Sequence, residues 1–220
     1  MGGDGAGKTT AVEDLRAWLG GVLDVVPVHL GKPPRTALGL VTKGCIALGR
    51  RVGAFPRDQW GNYPPPALRS RFPGFAWLVW QVATAHDRGR LYRRVSRRLA
   101  AGQLVIADRY PVPELAQMDG PRAHWLTTID IPRLASLLVR YEDYCYRTIP
   151  RPDGLVVLRV DPDTAVRRKS GVDPPEFVRS RSAEVYAQDW SHRDVHVVDA
   201  SGSKAEVAAG VRAVVWSALS

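Results

Sequence analysis

The first ten residues carry a pattern in which two glycines, a lysine and a threonine stand at fixed spacing. It reads Gly2-x-x-x-x-Gly7-Lys8-Thr9. Glycines at these places let the backbone turn so that successive N–H groups point at one anion, and the lysine adds a positive charge. A threonine hydroxyl is an oxygen ligand of the kind that Mg²⁺ accepts. The pattern therefore predicts a phosphate-binding loop rather than a glycine-rich turn without a ligand.

A second group of residues that could take part in chemistry follows an apolar run near the middle of the chain. The segment 103–108 reads Gln-Leu-Val-Ile-Ala-Asp, which predicts a buried strand that ends on Asp108, and Arg109 comes next. In open parallel sheets the carboxyl ends of the strands face the same crevice as the phosphate loop. We therefore expect Asp108 to lie across that crevice from Lys8 and to share a Mg²⁺ ion with Thr9.

The elements that must position these residues alternate between strand and helix. This order predicts an α/β fold, with one parallel β-sheet between helices on both faces, in a single domain spanning 1–220. Pro27 marks the first predicted strand as an edge strand. The predicted strands are 22–30, 103–108, 153–160 and 194–199. The predicted helices are 8–19, 75–101, 131–149, 162–171, 173–188 and a final helix that begins at the capping box Ser203-x-x-Glu206. We expect a break at Gly89 in the second of these helices and an N-cap at Asp173 in the fifth.

The loop stands in an unusual setting, because only Met1 precedes it. Loops of this kind normally follow a buried parallel strand in the middle of the sheet. We therefore expect the first, central strand of the sheet to be missing from this sequence, either because it lies upstream or because the chain was shortened. A sheet without it would lose much of its buried core.

Two further segments are expected near the site. Residues 31–74 are rich in proline, glycine and basic side chains, which predicts an irregular insertion near the acceptor side with at most a short helix. The segment 167–181 is a basic turn between two helices, which we expect to act as a lid over phosphates. Its basic residues are Arg167, Arg168, Lys169, Arg179 and Arg181.

Composition narrows the functional classes. The chain has 220 residues, a net charge of +9 and a pI near 10.0, which favours anionic partners.

Two cysteines, Cys45 and Cys145, are too few for a disulfide framework, and Cys145 falls on the apolar stripe of its helix. No apolar run has membrane-spanning length and no signal peptide is evident. We expect a cytoplasmic protein with no membrane partner.

With these residues described, the chain resembles thymidylate kinases and thymidylate-kinase-like proteins, which have the nucleoside monophosphate kinase fold of the P-loop NTPases. The likeness covers most of the chain outside 31–74. It rests on the segments Gly2–Thr10, Ala85-His-Asp-Arg88, Ile106-Ala-Asp-Arg-Tyr110, and Val160-Asp-Pro-Asp163 followed by Arg168.

The resemblance implies an ATP-dependent kinase of nucleotide biosynthesis that uses ATP and Mg²⁺ and forms a homodimer. Arg88 and Arg109 would bind the acceptor phosphate, and Asp4 would touch the acceptor sugar. Because Gly5 stands where some members have a catalytic arginine, that arginine would come from the lid, as Arg167 or Arg168. The residues implied for ATP binding are Gly2, Asp4, Gly5, Ala6, Gly7, Lys8, Thr9 and Thr10; those implied for metal binding are Thr9 and Asp108; those implied for catalysis are Lys8, Asp108, Arg109 and Arg168.

The segments that read the base in this family differ here. Pro111-Val-Pro-Glu-Leu-Ala-Gln117 replaces a Ser-x-x-Ala-Tyr-Gln run, and Leu30-Gly-Lys-Pro-Pro34 replaces Arg-Glu-Pro-Gly. The acceptor is therefore expected to be dTMP, another nucleoside monophosphate, or a different small phosphorylated metabolite or sugar.

Two other functions fit the same residues. One is a nucleotide-binding module without turnover. The other is an ATPase or polynucleotide kinase acting on nucleic acid, suggested by the arginine-rich stretch 88–98. The nucleic-acid function is the least favoured, because these arginines are not interleaved with stacking aromatic residues.

Overall fold

The structure is a computed structural model that describes residues 1–31, 33–51, 71–113, 115, 118–191 and 195–219. Within these residues, α-helices alternate with short parallel strands, so the predicted α/β class is confirmed. The helices are α1 (Lys8–Leu19), α2 (Ala37–Arg51), α3 (Phe75–Ala100), α4 (Arg133–Arg147), α5 (Pro162–Arg168), α6 (Pro175–Ala187) and α7 (Lys204–Leu219), with a 3-10 helix at His124–Thr128; the strands are β1 (Val25–His29), β2 (Leu104–Asp108), β3 (Leu155–Arg159) and β4 (Val195–Asp199).

The four strands form two parallel pairs in the described part of the chain. Strand β1 pairs with β2, so that His29 lies opposite Asp108. Strand β3 pairs with β4, so that Arg159 lies opposite Asp199. Pro27 lies in β1, where its missing N–H is tolerated because β2 is the only strand that β1 pairs with among the described residues. The arrangement is consistent with a P-loop-kinase-like α/β fold.

The residues before the loop lie along β3. The N–H of Leu158 donates to the carbonyl oxygen of Met1 at 2.8 Å, Gly2 forms a parallel bridge with Leu158, and the amino group of Met1 donates to the carbonyl of Val156. No ladder joins β2 to β3 among the described residues. Backbone pairing with β3 therefore fixes the point at which the glycine loop begins.

The chain divides into two compact units. The first comprises 1–31, 97–110 and 151–220, and the second comprises 32–96 and 111–150. The first has an apolar core formed by α1, α5, α6, α7 and the strand pair β3–β4. Its buried members are Ala6, Leu15, Leu158, Val160, Ala165, Val178, Val198, Ala200 and Val211. The core of the second unit joins α3 to α4 and the 3-10 helix, through Trp77, Leu78, Val82, Ala123, Leu126, Ala135 and Val139.

Three expectations about helices need correction. Helix α3 continues through Gly89 without a break, and the carbonyl oxygen of Cys145 on α4 lies beside this glycine, 3.6 Å from where a Cβ would be. Helix α6 begins one residue later than expected, with Pro174 and not Asp173 as its N-cap. Within the 31–74 segment, α2 is 15 residues long and not a short helix. The part of that segment from 52 to 70 lies outside the described residues.

Other local expectations are confirmed. Helix α7 opens on the capping box, in which the backbone N–H of Ser203 donates to Glu206 at 2.7 Å and the N–H of Glu206 donates to the Ser203 hydroxyl at 3.3 Å. Cys145 is buried in the second unit, with 5% of its surface exposed. A search of the described residues finds no helix with the length and apolar character needed to cross a membrane.

A buried carboxylate holds the loop before the 3-10 helix. Glu142 of α4 is 1% exposed, and its two oxygens accept the backbone N–H groups of Arg122 at 3.1 Å and Ala123 at 2.8 Å. Burial raises the pKa of Glu142 to about 7, although these two hydrogen bonds act in the opposite direction. The folded protein therefore keeps a proton on this group at pH values where the unfolded chain releases it.

We predict that the free energy of unfolding falls as the pH rises from about 4.5 to about 7, because only the folded state retains the Glu142 proton in this window. The loss is on the order of 3 kcal/mol for a shift of this size. Urea unfolding at several pH values measures it. The Glu142→Gln variant should show a flatter dependence, while Asp130→Asn, which removes an exposed carboxyl of the same unit, should follow the wild type. An unchanged slope in Glu142→Gln contradicts the assignment.

Candidate phosphate-binding site

The glycine loop of the first unit packs closely on helices α5 and α6. An added Cβ at Gly3 would lie 2.7 Å from the Ser182 hydroxyl oxygen and 2.8 Å from its Cα, and one at Gly5 would lie 2.8 Å from the carbonyl oxygen of Ala165. Gly5 also has φ = 80°, a conformation that favours glycine. The glycines at these positions are therefore required by packing as well as by backbone geometry.

The loop leads directly into α1, and no side chain caps that helix. Gly7 is the N-cap residue with φ = 82°, and an added Cβ there would meet no atom within 4 Å. The N-terminal turn of a 12-residue helix carries a partial positive charge on its backbone N–H groups. Thr9 and Thr10 of this turn are exposed, whereas Ala6 of the loop is buried. The loop end of α1 thus presents donors suited to an anion.

The side chain of Lys8 folds back over its own loop. It is 8% exposed, and its Nζ donates to the carbonyl oxygen of Gly3 at 2.6 Å and lies 3.9 Å from Asp4 Oδ1. The ammonium group is therefore held against the backbone of the glycine loop.

Asp4 is the centre of a charge cluster that sequence spacing does not reveal. It is 5% exposed, and Arg181 of α6 donates to its Oδ2 at 2.9 Å while Arg109 lies 3.5 Å from its Oδ1. Burial works against ionisation of Asp4, but the hydrogen bond from Arg181 and the charges of Lys8, Arg181 and Arg109 outweigh it, so the pKa of Asp4 is lowered. The hydroxyl of Ser182 also donates to the backbone carbonyl of Asp4 at 3.0 Å.

Asp108 lies at the end of β2, as expected, and contacts a residue of the neighbouring strand. It is 7% exposed, and its Oδ2 lies 3.0 Å from His29 Nδ1. The parallel register of β1 and β2 places these two residues side by side. His29 is a site residue that the sequence analysis missed; its position at the end of a predicted strand was the available signal.

Arg109 has a strained backbone. It is the one non-glycine residue with positive φ, at 58°, among the residues that the structure describes. Its side chain packs so closely on Gly31 that any Cβ there would collide with it. Strain of this kind persists where surrounding structure holds it, and it is concentrated at functional sites. The contact with Asp4 gives the strained residue an electrostatic role.

The arginines of the segment 167–181, which we expect to act as a lid, have different partners. Arg168 donates to the carbonyl oxygens of Ala200, Ser201 and Gly202 at 2.7, 3.1 and 3.1 Å, and Arg167 donates to the Thr164 hydroxyl at 2.6 Å. In this structure, Arg181 contacts the loop through Asp4 and Arg168 binds backbone carbonyls. From the sequence, Arg181 is one of five basic residues in the lid, and nothing local distinguishes it.

Arg88 belongs to the second unit and has partners there. It is 3% exposed, and its guanidinium donates to Asp119 at 2.7 Å and to the Tyr146 hydroxyl at 2.5 Å. The first unit brings together Asp4, Lys8, Arg109 and Arg181 at the loop. The acceptor-binding role of Arg88 stays a prediction.

The donor groups of the first unit fit a nucleoside triphosphate with Mg²⁺. A glycine loop, a helix N-terminus and Lys8 suit phosphate oxygens, and the exposed Thr9 hydroxyl and the Asp108 carboxylate suit a hard cation. No group of three or more His, Cys, Asp or Glu side chains able to hold a metal occurs among the described residues.

Comparison with known proteins finds distant similarity to two curated proteins named probable thymidylate kinase. The one from Pyrobaculum aerophilum is 27% identical over 133 residues, which cover 58% of this chain and 62% of the relative. The one from Pyrobaculum calidifontis is 28% identical over 142 residues, which cover 61% and 66%. The chain thus spans less than two thirds of the length of either relative. No protein-family profile matches the chain. The similarity supports a thymidylate-kinase-like relationship.

We predict that the Arg181→Gln variant raises the pKa of Asp4, because it removes a hydrogen bond to the carboxylate and one of three nearby positive charges. NMR titration of the Asp4 carboxyl carbon measures the shift. Arg179→Gln is the matched control, since Arg179 lies on the same helix and pairs with the exposed Asp163 at 2.6 Å. Identical Asp4 titrations in wild type and Arg181→Gln would show that this pair does not exist in solution.

Proposed function

We propose that this chain is an ATP-dependent phosphotransferase of the thymidylate-kinase-like class, which transfers the γ-phosphoryl group of ATP to a small phosphorylated acceptor. The observation that carries the proposal is the convergence of Lys8, Arg109 and Arg181 on Asp4 beside a glycine loop. The two distant relatives, both named probable thymidylate kinase, support the same class of reaction.

In this proposal the loop residues bind the triphosphate. The N–H groups of the loop and the first turn of α1 surround the phosphates, and Lys8 moves from the Gly3 carbonyl to the β- and γ-phosphate oxygens. Thr9 and Asp108 would hold Mg²⁺, which neutralises charge on the phosphates when bound. The site residues supply position and charge, and no covalent enzyme intermediate is needed.

The transfer itself requires an acceptor oxygen and positive charge around the moving group. An oxygen of the acceptor phosphate attacks the γ-phosphorus in line, a new P–O bond forms, and the bond to the β-phosphate oxygen breaks to release ADP. Arg109 is proposed to bind the acceptor phosphate and Asp4 to bind the acceptor sugar. The family resemblance implies that Arg88 is a second residue that binds the acceptor phosphate.

Three lid residues are candidates for the catalytic arginine. The family resemblance assigns the role to Arg167 or Arg168, whereas the contact with Asp4 supports Arg181, because it reaches the loop. A guanidinium at this position would offset charge that spreads onto the γ-phosphoryl oxygens in the transition state. We favour Arg181 for this reason.

The acceptor is proposed to be a nucleoside monophosphate, with dTMP tested first, or a related phosphorylated metabolite. The segments Leu30–Pro34 and Pro111–Gln117 differ from those that read thymine in the resembled family, so the base specificity need not be the same. A panel of nucleoside monophosphates and sugar phosphates with Mg-ATP, followed by ADP release, identifies the acceptor.

We predict that Lys8→Ala lowers kcat for the best acceptor of the panel by at least about 100-fold, because no lysine then stabilises the negative charge on the phosphoryl group that is transferred. Coupled detection of ADP measures the rate. Lys43→Ala removes an exposed lysine from α2 and should leave the rate unchanged. Equal rates in Lys8→Ala and wild type would reject the loop assignment. ATP-dependent thermal stabilisation without turnover on any acceptor would instead indicate a nucleotide-binding module.

We predict that Arg181→Lys lowers kcat by about 100-fold with a smaller change in the KM for ATP, because a transition-state contact acts mainly on kcat. Arg168→Lys should have a much smaller effect, since its guanidinium binds the carbonyl groups of residues 200–202. Steady-state kinetics of the two variants make the comparison. The reverse order of effects would assign the role to Arg168.

A further inference from the structure

The second unit contains a cavity of about 310 Å³ whose charged lining residues are all basic. It lies between the segment that leads into α2 and one side of α3. Helix spacing places three of the lining residues, His86, Arg90 and Arg94, on one stripe of α3, four residues apart. The lining residues are Pro34, Arg35, Thr36, Ala37, His86, Arg90 and Arg94.

The positive charge in this cavity has little compensation. Among the residues that the structure describes, Arg90 and Arg94 have no hydrogen bond or ion pair with a side chain. Arg35 lies over the ring of Trp80, with its guanidinium carbon 5.3 Å from the ring centroid, which holds the cation in place without neutralising it. Three guanidinium groups thus face one concave surface.

The nearest acidic side chain is already engaged. Asp87 is 3% exposed, and its Oδ1 accepts the hydroxyl of Thr36 at 2.5 Å and the backbone N–H of Thr36 at 3.2 Å. Asp87 therefore fixes the backbone that carries Arg35. His86 is held in turn by the Tyr141 hydroxyl, 2.7 Å from its Nδ1. These hydrogen bonds position two lining residues without engaging the guanidinium groups of the cavity, which leaves those groups available to a ligand.

We propose that this cavity is a binding site for a small phosphate-bearing anion. Guanidinium groups bind phosphate oxygens through paired, charge-assisted hydrogen bonds, and a concave arrangement of several of them selects a compact dianion over chloride. The volume is sufficient for a phosphate group with a small organic substituent. The proposed site is built by the second unit and does not depend on the proposed transferase activity.

Isothermal titration calorimetry at constant ionic strength tests the proposal, with inorganic phosphate and glycerol phosphate as separate probes. The Lys8→Ala chain is used throughout, so that the glycine loop contributes less to binding. We expect binding of at least one probe, and at least about tenfold weaker binding in the double variant Arg90→Gln/Arg94→Gln. Preference for one probe distinguishes the free ion from a phosphate ester.

The matched control is Arg93→Gln/Arg97→Gln, which removes the same charge from exposed positions of the same helix outside the cavity. It should bind like the parent. Equal weakening in both double variants would mean that the probe responds to net charge only, and equal binding by parent and Arg90→Gln/Arg94→Gln would mean that it binds elsewhere. Either result overturns the proposal, as does the absence of binding for both probes.

Tryptophan fluorescence gives a second, local readout. A phosphate that contacts Arg35 should change the emission of Trp80, and this change should vanish in Trp80→Phe while calorimetric binding persists. A fluorescence response that survives Trp80→Phe would come from another site. Far-ultraviolet circular dichroism of every variant confirms that the helices remain folded.

Discussion

The site of the first unit depends on the close approach of a glycine loop to helices α5 and α6. Side chains are excluded at Gly3 and Gly5, because Ser182 and Ala165 occupy that space. This approach buries Asp4, and a buried carboxylate is costly unless it is paired. The charge cluster at Asp4 is therefore a consequence of packing: once the loop lies against α6, a cation must follow, and Arg181 supplies it.

Much of the first unit could be predicted because its signals are local. The loop pattern occupies eight consecutive residues, and each strand is a short apolar run whose observed bounds lie within three residues of the predicted ones. The pairing of Arg181 with Asp4 could not be predicted, since 177 residues separate them and neither has a distinctive local context. The contact between His29 and Asp108 required both the neighbouring order of β1 and β2 and their register.

The second unit was harder to predict because composition there conflicts with packing. Glycine and proline before α3 suggested irregular chain, yet Thr36 precedes a 15-residue helix and is held by the buried Asp87 on α3. Gly89 suggested a break, yet α4 packs against it. Intrinsic propensity is a weak preference that tertiary contacts override at a cost of about 1 kcal/mol per glycine. The partners of Arg88 could not be predicted from local sequence either, because Asp119 and Tyr146, which bind it, lie in distant parts of the sequence.

Lys8 connects the packing of the loop to its proposed chemistry. Its ammonium group bonds to the Gly3 carbonyl, so a phosphate must replace that hydrogen bond when it takes the lysine. The exchange substitutes a charged acceptor for a neutral one, and charge-assisted hydrogen bonds are roughly twice as strong as neutral ones. Arg181 and Arg109 could each keep an N–H group on Asp4 while their other N–H groups bind phosphate, so the buried carboxylate would stay neutralised after Lys8 has moved. A cluster with three cations for one carboxylate can therefore release one of them to a ligand without leaving a buried charge unpaired, which a single Lys8–Asp4 pair could not do.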